Sequence, residues 1–89
     1  MLTGLLIAAA SAAGLATTGA PIVRALPSDG VIGLFVLDPS HIAVHTYPSR
    51  GVALVDVLAP AADDGRRAIE VFVRRLAAGA VEIRQHERA

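Results

Sequence analysis

Between Val31 and Leu58 the chain repeats one pattern three times: seven largely apolar residues, then a proline-containing break. The runs are VIGLFVL at 31–37, HIAVHTY at 41–47 and VALVDVL at 52–58. Runs this short, bounded by turn residues and rich in Val, Ile and Leu, are read as strands. Asp38-Pro39 interrupts the first, because proline lacks an N–H donor and restricts the residue before it to extended geometry. Pro48-Ser49-Arg50-Gly51 separates the second from the third. Breaks this short allow antiparallel neighbours only, since a parallel crossover needs a dozen or more residues. The middle of the chain is therefore expected to be an antiparallel meander.

The flanks complete a plan. Leu2 to about Ala13 is built from Ala and Leu, strong helix formers, with Leu5, Leu6, Ala9, Ala12 and Ala13 along one apolar face. The pattern loosens from Thr18 to Leu26, and Pro21 there predicts an irregular or edge strand. Pro27-Ser28-Asp29-Gly30 is a turn signature that makes this segment and Val31–Leu37 a hairpin. After a loop from Ala59, Asp63 and Asp64 are candidate helix N-caps. The helix that follows is expected to bury Ile69, Phe72, Val73 and Leu76 and to expose Arg66, Arg67, Glu70 and Arg74. Gly79 predicts its end, Ala80 to Arg84 a final short strand, and His86, Glu87 and Arg88 a solvated tail. The order helix, four strands, helix, strand predicts one α+β domain over 1–89, a two-layer sandwich with an antiparallel sheet and two helices on one face.

Composition narrows the partners. The 89 residues are 54% hydrophobic and 18% charged, more apolar than the usual soluble domain, so part of the surface is expected to face another subunit, most simply in a homodimer. Eight basic and eight acidic residues balance, and the cluster of Arg66, Arg67, Arg74 and Arg75 is interleaved with Glu70. This is no nucleic-acid footprint. The N-terminal run has no Lys or Arg before Arg24, unlike a signal peptide. Gly4, Gly14, Thr17, Thr18 and Gly19 interrupt it short of the ~20 apolar residues of a membrane span, so no membrane partner is expected. Without cysteine there are no disulfides and no thiolate metal sites.

The polar residues Ser40, His41, His45 and Asp56 stand out in this apolar setting. Spacing alone leaves several readings open. His41 and His45 share one strand face and would serve as ordinary solvated residues there. Two imidazoles without cysteine or an evident carboxylate make an incomplete metal site, and no metal is expected. A serine hydrolase is disfavoured, since G-x-S-x-G is absent.

The stretch Ser40-His41-Ile42-Ala43-Val44-His45-Thr46-Tyr47-Pro48, followed by Gly51, Ala53 and Asp56, resembles the core of the prokaryotic S-adenosylmethionine decarboxylases. In that family a G-V-S-G strand leads to E-S-H-x-S-x-H-T-W-P-E-x-G-Y-x-A-x-D. The resemblance implies a cofactor made from the chain itself. The serine, here Ser40, would attack the preceding carbonyl, helped by strain in the Asp38-Pro39 turn; the ester would be eliminated and the chain cut between Pro39 and Ser40. Ser40 would become a pyruvoyl group that forms a Schiff base with the substrate amine and acts as an electron sink. His45 matches the histidine that removes the Cα proton in the elimination. His41 matches the residue after the serine, with a structural or chemical role at the new chain start, and Asp56 an acid for which structural pairing is the default.

The implied enzyme is a cytoplasmic carboxy-lyase of polyamine (spermidine) biosynthesis, acting on S-adenosylmethionine or on a basic amino acid such as ornithine or arginine. Three departures fall on chemistry. Pro39 stands for the family's glutamate, Ile32 for its processing serine and Pro60 for its proton-donating cysteine, so that His45 or water would have to protonate the product. The family also opens with a strand before its first helix, and this chain begins at the helix. The alternative implied by those departures is a catalytically inactive homologue serving as a binding or regulatory subunit.

Overall fold

The computed structural model describes residues 2–76. Helix α1 (Leu2–Ala12) is followed by strands β1 (Ala16–Thr17), β2 (Ile22–Ala25), β3 (Val31–Asp38), β4 (His41–Tyr47) and β5 (Val52–Leu58), and then by helix α2 (Ala62–Arg75). The strands form one five-stranded antiparallel sheet in which β3, β4 and β5 are successive neighbours. The two-layer α+β sandwich expected from the sequence is what forms. The strand expected at Ala80–Arg84, the helix stop at Gly79 and the tail lie outside the described residues.

The edge next to β3 is shared by β1 and β2, both antiparallel to it. Thr17 lies opposite Leu37 and Ile22 opposite Leu34, so the four residues Thr18 to Pro21 cover a stretch that Phe35 and Val36 span on β3. Proline 21 falls in this bulge, where no ladder N–H is needed. Thr18 Oγ1 donates to the Val36 carbonyl at 2.9 Å in place of a ladder bond. This is the irregular edge strand that Pro21 predicts.

Alternation along the central strands sorts the two faces. Gly33, Phe35 and Leu37 of β3, with Ile42 and Val44 of β4, are buried, while Leu34 and Val36 are exposed. The buried set packs against Leu2, Leu5, Leu6, Ala9 and Ala10 of α1 and Ala68, Val71 and Phe72 of α2. Phe35, Phe72, Leu6, Ile42 and Val44 are the largest fully buried side chains, each contributing about 1.5–3 kcal/mol by leaving water. Close approach of α1 depends on Gly33, where a Cβ would stand 2.9 Å from Val44 Cγ1 and 3.0 Å from Leu6 Cδ1.

The helix ends have physical causes. Gly14 takes a left-handed conformation (φ 68) at the end of α1. Its N–H donates to the Ser11 carbonyl and that of Leu15 to the Ala10 carbonyl, a Schellman closure that occupies carbonyls the helix leaves open. Helix α2 starts earlier than its candidate caps suggest. Ala61, extended at φ −128 and ψ 146, is the N-cap and has no side-chain cap bond. Asp63 and Asp64 lie inside the first turn, and Arg74 and Arg75 in the last, placements that complement the helix dipole. The buried stripe is also rotated: Ala68 and Val71 join Phe72 inside, and Ile69 and Val73 are half-buried. Because α2 packs on α1 as well as on β5, its inward direction is set between the two.

No helix among the described residues is long and apolar enough to cross a membrane.

Candidate functional site

The hairpin joining β3 to β4 turns through Asp38 and Pro39. The Leu37 N–H donates to the Ser40 carbonyl at 2.8 Å, and the Asp38–Pro39 peptide is cis. Ser40 stands at the head of β4 and is 5% exposed, the one fully buried polar residue among the described residues.

His41, Ala43 and His45 follow on the sheet face that carries no helix. The register brings Val36 and Leu58 opposite His41, Leu34 and Asp56 opposite Ala43, and Ile32 and Leu54 opposite His45. His41 Nε2 lies 3.3 Å from Asp56 Oδ2, one step diagonally across β4 and β5, where the imidazole N–H donates to the carboxylate. The two side chains are 35% and 55% exposed, so the pair adds little stability, on the order of 0–1 kcal/mol. What it provides is orientation of a ring attached to the residue after Ser40. Sequence reasoning saw no carboxylate beside the histidines. The signal was the 48–51 turn: closing that hairpin pairs Tyr47 with Val52 and carries Asp56 to within reach of His41.

His45 is elsewhere. It lies five residues along β4 from Ser40, which at ~3.3 Å per residue is about 16 Å, far beyond the ~3 Å over which a proton is passed directly. Compact in the motif, Ser40 and His45 are not brought together within one chain. Ile32, at the position of the family's serine, is the cross-strand neighbour of His45. Pro60 follows the end of β5, where Leu58 lies opposite His41, so it falls at the Ser40 end of the sheet. Among the described residues no group of three His, Cys, Asp or Glu side chains is placed to hold a metal.

The helix-free face is strongly apolar. Ile22, Leu34, Val36, Val52 and Leu54 are exposed on it, Leu54 at 56%. At one end the turns are tied together: the Ser49 N–H donates to Asp29 Oδ2 at 2.8 Å, joining the β2–β3 turn to the β4–β5 turn. Hydrogen bonds from Ser49, side chain first and backbone second, hold the Asp29 carboxyl below its ordinary pKa.

A two-layer α+β sandwich with a buried serine at the head of its central strand defines the class of protein. Comparison with known proteins gives the family. The S-adenosylmethionine decarboxylase family model matches residues 1–89, and the chain belongs to that family. It is 38% identical over 77 residues to the S-adenosylmethionine decarboxylase proenzymes of Thermotoga petrophila and Thermotoga maritima, an overlap of 80% of this chain and 58% of each of theirs. Against the proenzyme of Symbiobacterium thermophilum it is 42% identical over 48 residues, 54% of this chain and 36% of that one. The chain thus spans less than three-fifths of the length of these curated relatives. The crystal structure of the adenosylmethionine decarboxylase from Aquifex aeolicus superposes with a TM-score of 0.78 over 99% of this chain and 78% of that chain, at 23% identity. That likeness is one of fold.

Proposed function

We propose that this chain is a pyruvoyl-dependent decarboxylase that cuts itself between Pro39 and Ser40 and acts on S-adenosylmethionine, or on a basic amino acid such as ornithine or arginine, in cytoplasmic polyamine (spermidine) synthesis. The observation that carries the reading is Ser40: a serine only 5% exposed, directly after a turn whose last carbonyl belongs to Pro39. A serine so placed fits the precursor of the group, and its relatives are named as proenzymes. Once formed, a pyruvoyl group supplies a carbonyl that captures the substrate amine and accepts the electron pair released with carbon dioxide.

The chain's own residues supply the rest. A cut at Pro39 leaves α1 and β1–β3 on one piece and β4, β5 and α2 on the other. The core is shared between them, with Leu6 and Phe35 from the first against Ile42, Val44 and Phe72 from the second, so the pieces are held without a covalent link. His45, about 16 Å from its own Ser40 by strand rise, serves as the base at Ser40 of a second copy. The exposed apolar sheet face on which it sits is the surface for that homodimer, because contiguous apolar patches mark association sites.

A second reading has its own support. With Ile32 and Pro60 in place of groups that carry protons, the chain would be a silent homologue serving as a binding or regulatory subunit. Mass spectrometry of the purified protein under denaturing conditions separates the two. Two pieces divided at Pro39/Ser40, the second with a pyruvoyl start, are expected, and Ser40→Ala should leave one chain. A wild-type chain that stays whole on long incubation refutes the decarboxylase and favours the silent subunit.

A further inference from the structure

We propose that His41, held by Asp56, delivers the proton to the substrate carbon that loses its carboxyl group, and that Asp56 is the positioning residue for this step. The inference rests on the decarboxylase reading above and adds the identity of the acid. When carbon dioxide leaves, the electron pair of the broken C–C bond must finally take a proton on the substrate carbon. The substrate is bound at residue 40, so the acid must belong to the Ser40 end of the sheet.

Among the described residues the groups at that end are few. Pro60 has no proton to give. Asp38 lies on the other side of the cut, and an ionised carboxylate is an acceptor alone. The hydroxyl of Thr18 is committed to the Val36 carbonyl. His45 of the same chain is five residues away along an extended strand, and that of a second copy is assigned to the elimination that makes the group, so wild-type partition in the His41 and Asp56 variants would point to it instead. His41 is the next residue after Ser40, with its Cα ~3.8 Å further on; its ring lies on the helix-free face, so the substrate joined at the new chain start must reach that face, and imidazole is the side chain best suited to hold and release a proton near neutral pH.

The pair with Asp56 defines which nitrogen acts. Nε2–H is directed at Asp56 Oδ2, which leaves Nδ1 as the free position. In the imidazolium both nitrogens are donors. The Nδ1–H bond breaks, a C–H bond forms with the electron pair left by the carboxyl group, and the ring becomes neutral with Nε2–H still on Asp56. Between turnovers the ring recovers its proton from solvent.

Misdelivery leaves a trace. If the proton goes to the carbon of residue 40 instead of the substrate carbon, water hydrolyses the resulting imine, the substrate leaves as an aldehyde, its nitrogen stays as the amine of an alanine start on the second piece, and the site is spent. Wild type, His41→Gln and Asp56→Asn are incubated with S-adenosylmethionine, with ornithine and arginine in parallel, and alanine starts per turnover are counted by mass. We expect an increase of about 100-fold for His41→Gln, in the range that general acids contribute, and about tenfold for Asp56→Asn. Should His41→Gln fail to cut itself, Asp56→Asn carries the comparison.

Independently of turnover, 15N spectra of the uncut Ser40→Ala chain should show His41 protonated at Nε2, with the signal displaced by Asp56→Asn. Wild-type partition in the cut variants, an undisplaced ring signal, or both variants remaining whole would overturn the assignment while the decarboxylase stands. A wild-type chain that never cuts itself overturns both.

Discussion

Gly33→Ala is the sharpest test of the packing that fixes the sheet beneath α1. The new methyl would sit 2.9 Å from Val44 Cγ1 and 3.0 Å from Leu6 Cδ1, both inside normal contact. Neither neighbour can swing into solvent, since Leu6 and Val44 are fully buried. Overpacking of this kind costs about 1–3 kcal/mol, against about 0.5–1 kcal/mol regained when alanine replaces glycine in a strand. The net loss is centred on about 1 kcal/mol, which in a chain of this size lowers Tm by roughly 4–8 °C. Thermal unfolding in the Ser40→Ala background, where the chain stays whole, measures it. Gly4→Ala is the contrast: it lies in α1 with nothing within 4 Å of its Cβ, and should stabilise by about 0.5–1 kcal/mol. Leu6→Ala makes room for the methyl at Gly33, so the double variant should lose less than the sum of the singles by at least about 0.5 kcal/mol. Gly33→Ala as stable as wild type, or strict additivity, would refute the close approach of α1.

Two further outcomes are expected. Asp29 is held below its ordinary pKa by Ser49, so the stabilisation it gives is complete above about pH 4 and is lost as pH falls through its folded value. Urea unfolding of wild type and Asp29→Asn should accordingly differ at pH 6 and converge toward pH 2, and a gap that is constant with pH would show that Ser49 does not act on the ionised carboxylate. If the helix-free face joins two copies, Leu54→Lys puts a charge on it opposite His45, and sedimentation should show monomers; a dimer of unchanged affinity would move the interface elsewhere.

Much of the fold was readable because proline and glycine punctuate it. Pro39, Pro48 and Gly51 bound β4 and its turns, and the three seven-residue runs reappear as β3, β4 and β5 with shifts of a residue at most. Local chemistry sufficed there. Where the outcome depends on neighbours, the sequence was less informative. The inward side of α2 is set by packing against α1, which a periodicity count on α2 alone does not contain. Its start falls at Ala61, because acidic residues favour the first turn almost as well as the cap. At the site, Ser40 was legible from the motif, but the motif hides distance: five residues that look adjacent in a line of text become about 16 Å in an extended strand. The pairing of His41 with Asp56 was missed for the opposite reason. Fifteen residues apart in the chain, they meet because a turn folds one strand back on the other.

The hairpin between β3 and β4 also dictates when this protein can fold. While Pro39 and Ser40 are joined, the six-residue register of these central strands forms by local closure, the fast route to a sheet, and the turn keeps the strands at an effective concentration in the millimolar range. If the proposed cut is made, the same native contacts must afterwards be found by two separate molecules, neither of which owns a whole core. Folding would then have to precede the cut. A cut molecule that is fully unfolded would have lost the instruction that assembled it, and its recovery on dilution should depend on concentration where that of the uncut chain does not.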